Sequence, residues 1–151
     1  MRRKFLSVPG FEFTQTSSDI GYLELLINPN EDGDFFLDPK FLVWPASKFM
    51  MNAIPNVNKT FTGNIVMPLK GVGATFDALK DKKKMKAFLE ENFPTVIPFL
   101  NMDEIDVKNT EILKEIKCFP WSINKVCLIG DAAHSMYPFY GQGLNCGLED
   151  C

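Results

Sequence analysis

The chain has 151 residues, of which 46% are hydrophobic and 23% charged, and its net charge at pH 7 is -3. These values are typical of one soluble globular domain and exclude a fully disordered chain or a fibrous repeat. The slight negative charge argues against nucleic acid or an anionic membrane as a partner, and no run of about 18 apolar residues predicts a membrane span. Four cysteines without a CxxC pair or a histidine cluster predict reduced thiols and a cytoplasmic location, and no metal site.

The first half of the chain predicts an antiparallel sheet. Apolar segments separated by short polar turns occur at residues 22–28, 41–44, 49–54 and 60–67. Connections this short favour antiparallel neighbours. In the last segment the odd-numbered residues share one face, and Thr62, Asn64 and Val66 share the other, as the two-residue period of a strand requires.

The second half begins with a predicted amphipathic helix at residues 76–92, where Met85, Phe88 and Leu89 recur at helical spacing. Residues 95–100 predict a short turn, and residues 101–109 a polar loop. Residues 125–129, KVCLI, predict a buried strand that leads directly into Gly130 and Asp131. The 14 phenylalanines favour a packed core, although they would also suit a pocket for a flat ring.

The closing segment, GDAAHSMYPFYGQGLNCGLEDC, predicts a loop followed by the start of a helix. Gly141 and Gly143 allow sharp turns and close approach of a ligand. The helix start would then present the free backbone N–H groups of Gly143, Leu144 and Asn145 to negative charge. Asp131 could accept hydrogen bonds from the hydroxyls of a polyol. Alternatively, Asp131 caps the short AAH turn and the glycines serve a tight loop.

The same segment resembles the GD motif of the single-component FAD-dependent aromatic hydroxylases, in which GDAAH is followed by Pro, GQG, Asn and a downstream ED. Its PFYGQG stretch is similar to the branch of that family that hydroxylates L-kynurenine. Further similar stretches are PGFEFTQ, GYLEL, WPASKFMMNAIPNVNKTFTGNIVMP and FLEENFPTVIPFL. The resemblance therefore extends over nearly the whole chain.

This resemblance implies an α+β fold: residues 1–115 would form an antiparallel substrate-domain sheet with a covering helix, and residues 116–151 part of an FAD-binding domain. It implies that NADPH reduces FAD and that the reduced flavin uses O2 to convert L-kynurenine to 3-hydroxykynurenine. The implied cofactor-binding residues are Asp131, Gly141, Gly143, Leu144 and Asn145. The implied substrate-binding residues are Ile54, Val66, Pro138, Phe139 and Gln142.

Several alternatives stay open at this point. Ile54, Val66 and Phe139 could simply pack in the core, as apolar residues usually do. Asn52 is polar where the family sheet usually shows an aliphatic residue, so a related flavin hydroxylase with another aromatic substrate is a second interpretation. His134 is interpreted as a structural neighbour of the flavin site rather than a base, and no catalytic residue is assigned.

The family pattern also includes a GxGxxG unit, which this sequence does not contain, and a DG motif shortly before the stretch that MRRKFLSVPG resembles, which is also absent. The resemblance thus implies an internal fragment of the enzyme, for which a non-catalytic truncated product is the alternative. Full-length members of the kynurenine branch usually carry a C-terminal anchor, which would imply the mitochondrial outer membrane. Missing flavin-domain segments would then be needed for activity.

Overall fold

The computed structural model describes residues 2–151, with only the backbone described for Arg2. It divides into two compact units. One, the sheet unit, is Asp19–Ile112, and the other, the terminal unit, joins residues up to Ser18 with Leu113–Cys151. The predicted division into residues 1–115 and 116–151 assigned each part a function, and that assignment stays a prediction.

The strands form an antiparallel sheet and follow one another in runs separate from the few helices, which confirms the predicted α+β class. The strands are β1 (Glu12–Ile27), β2 (Leu42–Pro45), β3 (Met50–Pro55), β4 (Phe61–Pro68), β5 (Glu111–Phe119), β6 (Ser122–Ile123) and β7 (Val126–Cys127). The α-helices are α1 (Arg2–Phe5), α2 (Lys82–Asn92), α3 (Asp131–His134) and α4 (Gly143–Glu149). Three short 3-10 turns lie at Ile97–Phe99, Val107–Asn109 and Pro138–Tyr140.

The main sheet has the strand order β2-β3-β4-β1-β5. The pairs β2/β3, β3/β4 and β1/β4 are antiparallel, as the short connections predict. Along β4 the burial alternates residue by residue, with Phe61, Gly63, Ile65 and Met67 buried and the residues between them half-buried. The predicted two faces of this strand are confirmed.

One face of the sheet unit is packed against α2. Met85, Phe88 and Leu89 are buried in the same cluster as the inward residues of β1, β3 and β4. The helix begins at the N-cap Asp81, whose carboxylate accepts hydrogen bonds from the backbone N–H groups of Lys83 and Lys84 at 2.8 and 3.3 Å. Predicted residues 76–81 lie outside this helix.

Phenylalanines fill much of the same core. The ring of Phe49 lies 4.9 Å from that of Phe88 and 6.0 Å from that of Phe93, both at steep interplanar angles. Phe35 and Phe36 make similar edge contacts with Phe61. Edge-to-face pairs of this kind stabilise a packed interior, so these six rings serve the core rather than a pocket.

Two strand segments lack the alternating apolar pattern that predicts a strand. The first half of β1 is polar and mostly exposed, so it carries no apolar alternation. β5 interleaves lysines and glutamates with only two buried side chains, Leu113 and Cys118. The strands β1 and β5 are hydrogen-bonded neighbours in the sheet. Pairing between strands that are distant in sequence, rather than local hydrophobicity, determines both segments.

The prediction of a buried strand at residues 125–129 is wrong. Only Val126 and Cys127 are in strand conformation, and they pair with β6 in a small antiparallel hairpin. Val126 and Ile129 are 40% and 48% exposed, and Leu128 alone of the five is buried. Asn124 adopts a positive φ of 54° at the turn, which allows the chain to reverse immediately before the apolar run.

Gly21 offers a test of the packing around β1. A Cβ at this position would lie 2.9 Å from the backbone oxygen of Glu111 and 2.7 Å from Cδ2 of Leu69. We expect Gly21→Ala to lower the free energy of unfolding by about 1–3 kcal/mol, because a backbone atom cannot move aside easily. Urea unfolding measures this value.

Gly63→Ala is the matched control on the adjacent strand. Its Cβ would meet only a flexible group at close range, Cδ1 of Ile27 at 3.1 Å. The loss of stability should therefore be smaller than for Gly21→Ala. Equal losses, or a larger loss at Gly63, would contradict the packing described for Gly21.

Candidate functional site

The glycine and aspartate of the closing segment lie at the start of α3. Gly130 adopts φ 54° and ψ -139° and is the N-cap of this helix, and Asp131 is its first residue. The structure therefore places Gly130, rather than Asp131, at the N-cap position of the AAH turn. The Asp131 residue is exposed.

Asp150, just beyond the last residue of α4, connects back to this point. Its Oδ2 accepts a hydrogen bond from the backbone N–H of Gly130 at 2.7 Å. Both carboxylate oxygens lie within hydrogen-bonding distance of His134 Nε2, at 2.9 and 2.7 Å. The side chains of His134 and Asp150 are 20% and 9% exposed. The carboxylate thereby holds α3 and α4 together at their base.

An indole ring covers the imidazole of this pair. The rings of Trp121 and His134 lie 4.9 Å apart, and Trp121 Nε1 donates a hydrogen bond to the carbonyl oxygen of Cys118 at 2.7 Å. His134 is thus held by a carboxylate and an aromatic ring, which gives it a structural role within the terminal unit. The roles of Asp150 and Trp121 were not predicted, although the ED of the motif was visible in the sequence.

Gly147 allows α4 to lie close to Gly130. A Cβ on Gly147 would lie 3.3 Å from the Cα of Gly130, tighter than ordinary van der Waals contact. The absence of a side chain on α4 at this point is therefore needed for the backbone approach that brings Asp150 to the Gly130 amide.

The loop before α4 contains the predicted glycines. Gly141 is in the left-handed region at φ 62° and its N–H donates to the carbonyl of Pro138 at 3.0 Å. A Cβ at Gly141 or Gly143 would meet nothing within 4 Å, so the space beside both residues is open. Gln142 is the N-cap of α4 and provides no side-chain cap hydrogen bond.

The first three backbone N–H groups of α4, those of Gly143, Leu144 and Asn145, have no hydrogen-bond partner among residues 2–151. Leu144 is 74% exposed, and Asn145 is also exposed. Within the loop, Asn145 Nδ2 donates to Gln142 Oε1 and Gln142 Nε2 donates to the carbonyl of Tyr140, both at 2.9 Å. These side-chain bonds hold the loop while leaving the amides available to a ligand acceptor.

The predicted substrate residues lie in both units. Ile54 and Val66 belong to the sheet unit, and Pro138, Phe139 and Gln142 to the terminal unit. Ile54 and Phe139 are 49% and 52% exposed, so neither packs in a described core, and Val66 is half-buried.

Ile54 and Val66 share the face of the sheet that is turned away from α2. Ile54 is paired with Thr62, and Val66 with Met50, so the two side chains are about 14 Å apart along the strands. The side chains of Asn52 and Asn64 lie between them, with Asn64 Nδ2 donating to Asn52 Oδ1 at 3.2 Å.

Comparison with known proteins shows which family the chain belongs to. The model of the FAD binding domain family matches residues 8–151. The chain belongs to this family. Among curated relatives, it is 43% identical over 93% of its length to kynurenine 3-monooxygenase of Flavobacterium psychrophilum, and 38% identical over its full length to kynurenine 3-monooxygenase of Anopheles gambiae. The chain spans about a third of each relative, 32% in both cases.

Solved structures show a similar fold. A tetrameric 2-methyl-3-hydroxypyridine-5-carboxylic acid oxygenase superposes with a TM-score of 0.68 and 19% identity over 92% of this chain and 38% of its own. The R204Q variant of Klebsiella pneumoniae HpxO complexed with FAD gives 0.60 and 22%, over 91% and 36% of the two chains. No helix within residues 2–151 combines the length and apolar character needed to cross a membrane.

Asp150→Asn tests the carboxylate that joins α3 and α4. The hydrogen bond from Gly130, aided by His134, lowers the pKa of Asp150 below its ordinary value. The stabilisation is therefore fully present above the unfolded-state pKa of about 3.9 and is lost as the pH falls through the lower folded-state pKa. We expect Asp150→Asn to be less stable than the native chain at pH 7, with the difference shrinking below about pH 4.

Urea unfolding at pH 7, 5 and 3 measures this difference, with Glu149→Gln as the control. Glu149 is exposed and adjacent to Asp150, so its substitution makes the same change in charge without touching Gly130 or His134. Equal stability of the native chain and Asp150→Asn at pH 7, or a gap that widens in acid, would contradict the assigned role.

Proposed function

We propose that this chain provides two parts of an FAD- and NADPH-dependent monooxygenase that hydroxylates L-kynurenine. One is the loop before α4 with the first amides of α4, which would contact the edge of the flavin, and the other is the main sheet, which would contact the substrate. The observation that carries the proposal is the similarity to kynurenine 3-monooxygenases, which spans 93–100% of this chain at 38–43% identity in the two relatives above. Membership of the FAD-binding domain family and the open amides of α4 support it independently.

The closing segment fits a flavin. The amides of Gly143, Leu144 and Asn145 lack partners, and a side chain at Gly141 or Gly143 would fill the space beside them. Amide N–H groups at a helix start stabilise negative charge, and the pyrimidine edge of reduced flavin carries such charge. We assign these amides to the pyrimidine oxygen and the exposed carboxylate of Asp131 to the ribityl hydroxyls.

When bound, FAD would supply the redox chemistry, taking electrons from NADPH and activating O2. The residues of this chain would bind, orient and shield. Asp150 and His134 would hold α3 and α4 in place, so that Asp131 and the α4 amides keep a fixed spacing. No proton transfer is assigned to His134, since its Nε2 is already engaged by Asp150.

The aromatic ring of the substrate needs apolar contacts and a few polar groups. Ile54 and Val66 are proposed contacts from the open face of the sheet, where both are accessible. Pro138, Phe139 and Gln142 are proposed contacts from the loop before α4. The second N–H of the Gln142 amide and the remaining lone pair of its oxygen would provide hydrogen bonds to a ring carbonyl or amine.

Gly143→Ala tests the flavin-edge assignment. The added methyl group meets nothing within 4 Å, so the free energy of unfolding should stay within about 0.5 kcal/mol of the native value. The same methyl group would occupy the space assigned to the flavin, so FAD affinity should fall by about tenfold or more. Quenching of flavin fluorescence during titration gives the dissociation constant.

Asp131→Asn tests the ribityl contact by the same titration. We expect it to weaken FAD binding by about tenfold, because a charge-assisted hydrogen bond is replaced by a weaker neutral one. Glu149→Gln is again the control and should bind FAD as the native chain does. Native affinity in both Gly143→Ala and Asp131→Asn, or no FAD binding by the native chain, would refute the proposal. Kynurenine-stimulated NADPH oxidation reports the activity itself.

A further inference from the structure

The open face of the sheet, turned away from α2, is unusually poor in charge. Its side chains come from the even-numbered positions of β1, β3 and β4 and the odd-numbered positions of β2, as the pairing registers define. Among the thirteen residues of these strands on this face within the sheet unit, Glu24 is the single charged one. They are Ile20, Tyr22, Glu24, Leu26, Val43, Pro45, Met50, Asn52, Ile54, Thr62, Asn64, Val66 and Pro68.

Several of these residues expose large apolar side chains. Leu26, Val43 and Ile54 are 48%, 45% and 49% exposed. A sheet face in permanent contact with water would carry alternating charged residues instead. An accessible apolar face with a few polar groups is typical of a surface that binds a ligand.

Three polar side chains of this face, those of Glu24, Asn64 and Asn52, form one row across three strands. Glu24 on β1 is opposite Asn64 on β4, and Asn64 is opposite Asn52 on β3. Val66 and Met50 are paired on one side of the row, and on the other side Leu26 and Ile54 lie on either side of Thr62. The row therefore lies at the centre of the accessible apolar surface rather than at its rim.

The two amides use only part of their hydrogen-bonding capacity on each other. Asn64 Nδ2 donates to Asn52 Oδ1, and neither Asn64 Oδ1 nor Asn52 Nδ2 has a partner within the described residues. If both amides are rotated by 180°, the pair still presents one oxygen and one NH2 group. The face thus offers an acceptor and a donor side by side, at a spacing set by the 3.2 Å bond between them.

We propose that the Asn52–Asn64 pair is a specificity determinant that recognises an aromatic ring bearing an amino group next to a carbonyl group. The amino N–H donates to the free asparagine oxygen, and the carbonyl oxygen accepts from the free asparagine NH2. The carboxylate of Glu24 in the same row favours the amine over an acidic substituent at that end. This inference rests on the proposed function and specifies how its substrate is distinguished from similar rings.

The physical basis of discrimination is the loss of paired hydrogen bonds. A ligand that lacks the ring amine would cover the asparagine oxygen without replacing the water bound to it, and so would leave a covered acceptor unsatisfied. A ligand of the same shape with the amine satisfies both groups. We expect the difference to be about tenfold in dissociation constant.

The test compares L-kynurenine with 3-benzoylalanine, which has the same skeleton without the ring amine. Isothermal titration calorimetry on the native chain with saturating FAD should give a dissociation constant about tenfold lower for L-kynurenine. Asn52→Leu should bring the ratio of the two constants to about one, and Asn64→Val should do the same. Asn109→Ala replaces an exposed asparagine of the Val107–Asn109 turn and should keep the native ratio.

Equal affinity of the native chain for the two ligands, or an unchanged ratio in Asn52→Leu and Asn64→Val, would overturn the inference. Absence of binding by either ligand would overturn it as well. If a second copy of the chain covers this face, sedimentation will show a dimer that the ligand does not displace, and the inference is also wrong. FAD titration of the same samples reports on the proposed function separately, because Asn52 and Asn64 are not assigned to the flavin.

Discussion

The carboxylate of Asp150 is the constraint on which the terminal unit depends. It accepts the N–H of Gly130 and bonds to His134, and so it joins the end of α4 to the start of α3. Gly147 makes this possible, because a side chain there would push α4 away from Gly130. With α4 fixed at its far end, its first three amides can remain without protein partners and still have a defined position. The closing segment is therefore fixed by Asp150 at the C-terminal end of α4, and at the N-terminal end of α4 it presents open amides that can accept an anion.

Much of the sheet unit could be predicted from the sequence because its physical signals are local. Alternation along residues 60–67 identified both faces of β4, and the spacing of Met85, Phe88 and Leu89 identified α2. Strong apolar periodicity leaves few alternatives when one face must be buried. The open face could also be identified in this way, but the hydrogen bond between Asn52 and Asn64 required the strand register.

The strands and side-chain contacts that the sequence does not predict depend on residues that are distant in sequence. β5 and the first half of β1 lack an alternating apolar pattern, and they become strands through pairing. The apolar run at residues 125–129 predicts a buried strand, but the turn at Asn124 directs Val126 and Cys127 into an exposed hairpin instead. Asp150 was visible in the motif, but only the fold brings its carboxylate to an amide 20 residues away. The roles of the predicted cofactor and substrate residues stay predictions until ligands are bound.

The measurement that tests the central claim most directly is the backbone 15N–1H spectrum of the chain during titration with FAD. The account predicts that the amide signals of Gly143, Leu144 and Asn145 shift and become protected from exchange with water as the flavin binds. Signals from the buried amides of β4 should stay in place. Binding of FAD that leaves the three α4 amides unshifted and exchanging freely would contradict the account.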